Sequence, residues 1–131
     1  MQNEKVAMVL GVGIDIVTIS RVKDAVETAG KPFLDEVFTL HEQEQASAHP
    51  DPWAYYATTF ASKEAIFKCF ATSWETGVQF TDIEIRRGEF GEPIPILTGK
   101  FAELASQRCA RKVLLSPSYD GDYAVVIAIL V

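Results

Sequence analysis

Residues 8–19 read MVLGVGIDIVTI, and no other stretch limits the possible folds as tightly. At a period of two, Met8, Leu10, Val12, Ile14 and Ile16 share one side and Gly11, Gly13, Asp15 and Val17 the other. This is the alternation of a β-strand with one greasy face. The opposite face is unusual, because two glycines strip it of side chains just ahead of a carboxylate. Another backbone or a ligand can approach closely there, which places Asp15 in an expected pocket. Thr18 or Ser20 can cap a following helix to about Ala29, with Val22, Ala25 and Val26 inward and Gly30 plus Pro32 ending it. Arg21, Lys23 and Lys31 make this segment basic.

Further on, a short helical piece is expected over residues 33–38, and Thr39 with Glu42 has the spacing of a capping box for the helix LHEQEQA. The sequence HPDPW breaks it. Asp51 as N-cap and Pro52 at the first helical position then open the longest helix, running to about Phe70. Strands follow at 78–87 and 93–97 around a turn at 88–92, then a helix over 99–110 and two strands, 112–118 and 123–131, joined by a DGD turn. Helices gather in the first half and hairpins in the second. The expected class is α+β, an antiparallel sheet of three strands packed on a long helix.

With 131 residues, 48% apolar and 14 aromatic, one domain with a substantial core is expected over residues 1–131. No stretch approaches the roughly 20 apolar residues of a membrane span, and the apolar start at Val6 has no basic leader, so no membrane association is expected and the location reads as cytoplasmic. Cys69 and Cys109 lack metal-ligand spacing and read as buried thiols in a reducing compartment. Twelve basic against 18 acidic residues give a net charge of −6, the wrong sign for a nucleic-acid partner. His41 and His49 have no matching third ligand and read as surface histidines, and neither a G-x-S-x-G elbow nor a dinucleotide fingerprint occurs.

On a 3.6-residue wheel, Glu64 and Lys68 fall in the arc that holds Trp53, Ala57, Phe60, Ala61 and Ala71, turning a carboxylate and an ammonium inward. Taken alone, such an i,i+4 pair is an ordinary solvated one worth about 0.2–0.5 kcal/mol. Asp15 supplies the other reading. Two acids held together need a cation, and a hard divalent ion with a phosphate substrate would satisfy both, Lys68 meeting the phosphate.

The strand GVGIDIVTISRV, the helix segment FASKEAIFK, the stretch GEPIPILTGKFAELA and the ending LSPSYDGDYAVVIAIL together resemble holo-acyl-carrier-protein synthases of the 4′-phosphopantetheinyl transferase superfamily. The resemblance covers nearly the whole chain. It implies that fold, a homotrimer, and Mg²⁺-dependent transfer of the phosphopantetheine arm of coenzyme A to a serine of an apo acyl carrier protein, releasing adenosine 3′,5′-bisphosphate. Carried over by motif, Asp15 and Glu64 are implied as Mg²⁺ ligands and, with Lys68, as the catalytic set. Lys68 and Lys63 are implied at the coenzyme A phosphates, Ser116 and Ser118 in the late S-x-S motif at the cofactor, and Arg21 at the acidic carrier. Lys63 has a bland alternative as a surface lysine, and Arg21 as a solvated arginine.

Four features depart from the family pattern. Thr59 stands where the family usually has Arg, ATSWETG with Ala71 and Trp74 replaces a Gly-rich loop, and Tyr119 replaces a His. The fourth is the charge of −6, which makes attraction to an acidic carrier depend on a local patch such as Arg21 and Lys23. These departures keep open a second reading, a non-catalytic relative that binds a carrier or partner without transfer.

Overall fold

The computed structural model describes residues 8–72 and 77–131. In order come β1 (Gly11–Thr18), α1 (Ile19–Ala29), α2 (Lys31–Val37), α3 (Leu40–Ala48), α4 (Pro52–Cys69), a 3-10 turn (Phe80–Asp82), β2 (Ile83–Arg87), β3 (Pro93–Leu97), α5 (Gly99–Gln107), β4 (Val113–Asp120) and β5 (Tyr123–Leu130). The strands form an antiparallel sheet of order β1-β5-β4 and a separate antiparallel hairpin, β2-β3. Helix α4 crosses one face of the larger sheet, so the α+β class expected from the sequence is what forms.

The glycines of β1 set how close that crossing is. A Cβ on Gly13 would run into the Ala65 carbonyl oxygen and lie 2.7 Å from the Cys69 nitrogen, and one on Gly11 would run into the Cys69 carbonyl oxygen. Of the two expected visitors to this face, the backbone is therefore the one present, and it belongs to α4. The greasy side points the other way: Val12, Ile14 and Ile16 are 56–61% exposed, and Ile127 of β5 and Leu114 of β4 extend the same outer face. The core lies between α4 and the inner residues Ala124, Val126, Ala128 and Leu130 of β5, with Ile66, Phe67, Phe70 and Phe101.

Local signals mostly act as the sequence implies. Asp51 accepts from the Ala54 amide at 3.1 Å to cap α4, with Pro52 in its first turn. The Thr39–Glu42 capping box opens α3. Helix α1 differs, because neither Thr18 nor Ser20 caps it with its own side chain. Instead Asp122, in the β4-β5 turn, accepts from the Ser20 amide (3.0 Å) and hydroxyl (2.6 Å), and its carbonyl accepts from Ile19. Pro32 opens α2 rather than closing α1. The strand expected from residue 78 starts at Ile83, because Phe80 in the preceding 3-10 turn packs on Phe60 and Phe67. Cys69 is a buried thiol pushed up to about 12 by burial, whereas Cys109 follows the end of α5 with φ 54° and is exposed, contrary to expectation. The Trp74 loop substitution and the region around Val6 lie outside the described residues.

Candidate active site

Asp15 reaches inward from β1, and Lys68 comes from the last turn of α4 to meet it. The ammonium donates to Asp15 Oδ1 at 3.0 Å and to the Ile14 carbonyl at 2.9 Å. Asp15 is 13% exposed at its side chain and Lys68 51%, so Lys68 sits at the helix edge with its head half in solvent, less inward than the wheel implied. Ala71, placed on the same arc by the wheel, lies past the helix end and is exposed. One turn before Lys68, Glu64 is half-buried, and its carboxyl is held above the usual carboxylate range first by burial and then by the charge of Asp15, with Lys68 opposing. Asp15, Glu64 and Lys68 thus come together from sequence positions 49 to 53 apart.

Their sum is two acids against one base. Asp15 Oδ2 is buried with no hydrogen-bond partner, and the Glu64 carboxylate takes no hydrogen bond among the described residues. A buried carboxylate oxygen without a partner, with a second carboxylate close enough to repel it, is costly unless a cation answers both. An all-oxygen donor set of two carboxylates matches Mg²⁺, which keeps several positions for water and phosphate oxygens. No cluster of three or more His, Cys, Asp or Glu side chains forms among the described residues, so protein groups alone would fill only part of such a shell.

A stability effect follows with a definite sign. The folded-state pKa of Glu64 lies above its unfolded value, so metal-free protein loses stability as pH rises through the raised value, while below the unfolded value the difference vanishes. Glu64→Gln is therefore expected to melt slightly above wild type at pH 7.5 in a chelator and level with it near pH 4. The gain is about 0.5 kcal/mol, discounted for solvent screening at this half-exposed group. Paired thermal melts at the two pH values check it, and a lower melt for the variant at pH 7.5 would contradict the geometry.

Lys63 does not join this group. It is neither a surface lysine nor open to phosphate: its side chain is fully buried, and its ammonium donates to Glu42 Oε1 (2.7 Å), the Val37 carbonyl (2.7 Å) and the Phe80 carbonyl (3.2 Å). One residue along a helix turns about 100°, so with Glu64 directed at β1, Lys63 is directed into the core. Thr59 is likewise inside, at 1% exposure.

Ser116 and Ser118 sit on the outer face of the sheet, opposite Ile127 and Val125, whereas Asp15 is on the inner face. They do not meet the acid pair within the chain. Ser118 does border a cavity of about 160 Å³ at the sheet edge with His49, Tyr55, Thr58, Arg87 and Tyr119. Arg87 stacks 5.9 Å over the Tyr55 ring and has no carboxylate partner among the described residues, whereas Arg86 is paired with Glu84 at 2.7 Å. The sequence reading passed over Arg87; its trace is the doubled arginine at the end of a strand, where alternation must send the two to different sides. His49 and Tyr119 are exposed there. Arg21 is exposed on α1 at the side of an apolar cavity of about 470 Å³ bounded by Val17, Val22, Phe33 and Phe60.

Comparison with known proteins gives the family. Residues 11–128 match the family model described as the 4′-phosphopantetheinyl transferase superfamily. The holo-[acyl-carrier-protein] synthase of Desulforudis audaxviator is 40% identical over 124 residues, covering 95% of this chain and 94% of that protein. Among solved structures, the holo-[acyl-carrier-protein] synthase of Neisseria meningitidis is 26% identical and superposes with a TM-score of 0.86, covering 94% of this chain and 98% of that one. The Helicobacter pylori enzyme, solved in complex with coenzyme A, is 25% identical with a TM-score of 0.80, over 92% and 99% of the two chains. With nearly its whole length matched and the paired strand and helix motifs folded onto one another, the chain belongs to the holo-acyl-carrier-protein synthase family of 4′-phosphopantetheinyl transferases.

Proposed function

We propose that this protein transfers the 4′-phosphopantetheine group of coenzyme A to a serine of an apo acyl carrier protein in the cytoplasm, in a Mg²⁺-dependent reaction that releases adenosine 3′,5′-bisphosphate. The observation that carries the proposal is the convergence of Asp15, Glu64 and Lys68, with an unpartnered buried oxygen on Asp15. Asp15 and Glu64 would hold the ion, and Mg²⁺, when bound, supplies charge neutralisation on the pyrophosphate. Lys68 is the mobile cation of the set: half-exposed, it can keep its stem on α4 and turn its head from Asp15 to a phosphate oxygen. Arg87, free of a carboxylate among the described residues and beside Ser118, is suited to the nucleotide end, compensating for Thr59, which is too deep to reach a ligand.

Arg21 offers an acidic carrier a charge at the side of an apolar slot. The exposed face of Val12, Ile14, Ile16, Leu114 and Ile127 is the surface on which copies of the chain would associate, as a homotrimer by family resemblance. Ser116 and Ser118 lie on that face, so in an assembly they would stand at a subunit boundary.

The test is to incubate the protein with coenzyme A, Mg²⁺ and a panel of apo carrier proteins, following the carriers by mass spectrometry. One carrier is expected to gain the phosphopantetheine mass, chelation of Mg²⁺ to abolish the gain, and Arg87→Ala to raise KM for coenzyme A about tenfold. No gain on any carrier, with carrier binding intact, would favour the non-catalytic binder.

A further inference from the structure

Glu42 and Lys63 form an ion pair with both side chains fully buried, and the transfer chemistry makes no use of it. All three ammonium donors are engaged, on Glu42, Val37 and Phe80. Both carboxylate oxygens are engaged as well: Oε1 also accepts from the Thr39 amide at 2.9 Å, and Oε2 accepts from the Ile85 amide at 2.7 Å. Three bonds from Lys63 therefore tie α4 to the end of α2, the start of α3 and the 3-10 turn, and two more fix Glu42 to the start of α3 and to β2. An apolar pair of similar volume would forgo little from the two charges themselves, because desolvating them offsets much of their attraction, but it would leave the backbone groups just named without these bonds. What an apolar pair lacks is direction.

Direction matters at the next residue. Glu64 follows Lys63 on the same helix, and its own carboxylate has no hydrogen bond among the described residues to hold it. The neighbouring strand is smooth, since Gly11 and Gly13 leave α4 facing bare backbone. On a helix about 10–12 Å across, a rotation of roughly 15° carries a side-chain tip by about 1.5 Å. Misplacements of that size cost on the order of a hundredfold in rate.

We infer that the Glu42–Lys63 pair is a positioning device that fixes the rotation of α4 and thereby aims Glu64 at Asp15. Lys63 is thus a positioning residue and touches no substrate. The inference rests on Glu64 serving the site as proposed above.

The test is the double variant Glu42→Leu/Lys63→Met, which keeps the volume and removes the direction. Its thermal midpoint is expected about 10–15 °C below wild type, because the Thr39 and Ile85 amides lose their acceptor. Its kcat should fall about 30- to 100-fold with KM for coenzyme A changed less than threefold. Mn²⁺ affinity, read by electron paramagnetic resonance as a stand-in for Mg²⁺, should weaken about tenfold. Partial unfolding would lower the number of Mn²⁺ sites but not their affinity, so the affinity separates positioning from simple support. If the double variant melts too low to assay, Lys63→Arg keeps the charge while shifting the geometry, and the same pattern is expected at three- to tenfold. Either variant folding with kcat and Mn²⁺ affinity within twofold of wild type overturns the inference. A wild type that neither transfers nor binds Mn²⁺ sinks the functional reading first, and the positioning role falls with it.

Discussion

Glu64→Gln is expected to reduce phosphopantetheine transfer about a thousandfold while leaving the fold intact, because it removes one of two carboxylates able to hold the ion and changes almost no volume. The metal-free stability of this variant should match or exceed wild type, since the wild-type carboxylate is pushed above its usual range by burial and by Asp15. Loss of activity together with an unchanged or higher melting point is a combination that general damage does not produce. Asp15→Asn should lose activity on the same scale but behave differently in stability, because it also weakens the 3.0 Å contact from Lys68. Lys68→Ala is expected to cost less, about a hundredfold, with its loss spread over KM and kcat. Single-turnover transfer assays and thermal melts on the same preparations decide this. Glu64→Gln and Asp15→Asn both working within twofold of wild type would remove the acid pair from the mechanism.

Gly13→Ala is expected to do comparable harm from outside the chemistry. The added methyl would meet the Ala65 carbonyl, the Cys69 nitrogen at 2.7 Å and the Lys68 Cβ at 2.9 Å, and the first two are helix backbone that cannot turn aside. Strand and helix must part, at a cost of roughly 3 kcal/mol and a fall of about 10 °C in melting temperature. Asp15 lies two residues along the same face and Lys68 is among the atoms displaced, so transfer should also fall more than tenfold in the fraction that stays folded. Gly30→Ala is a useful contrast, with open space around the position and strain only from its φ of 66°. Denaturant melts of the two variants side by side would expose an error: equal, small losses would mean that β1 and α4 are not packed backbone to backbone.

Much of this arrangement could be read from residue order, and the parts that could not share a physical cause. Caps are local, so Thr39 with Glu42 and Asp51 with Pro52 announced their helices correctly. Asp15 and the Glu64–Lys68 turn are recognisable as a set through the family resemblance, and the structure brings them together. Period-two alternation found the two faces of β1 but says nothing of what covers them, and the side chosen for packing is the one without side chains. A wheel likewise ranks directions without knowing neighbours. It placed Lys68 inward and gave no sign that Lys63 finds, 21 residues upstream, the one carboxylate already spoken for by a capping box. Asp122 capping α1 from 102 residues away is the same lesson at longer range. Arg87 is not singled out by the sequence, because which of two adjacent arginines pairs with Glu84 is settled only by the fold.

The bare outer side of the three-stranded sheet has a consequence for how this molecule lives in dilute solution. Val12, Ile14 and Ile16 left in water forgo the burial that hydrophobic side chains of their size ordinarily contribute, about 1.5–3 kcal/mol each when complete. In the self-association proposed above, a second copy lends that free energy to the folded state by mass action, and resistance to heat is then expected to climb with protein concentration. With that face uncovered, a single chain would be the form most exposed to proteases and to sticking.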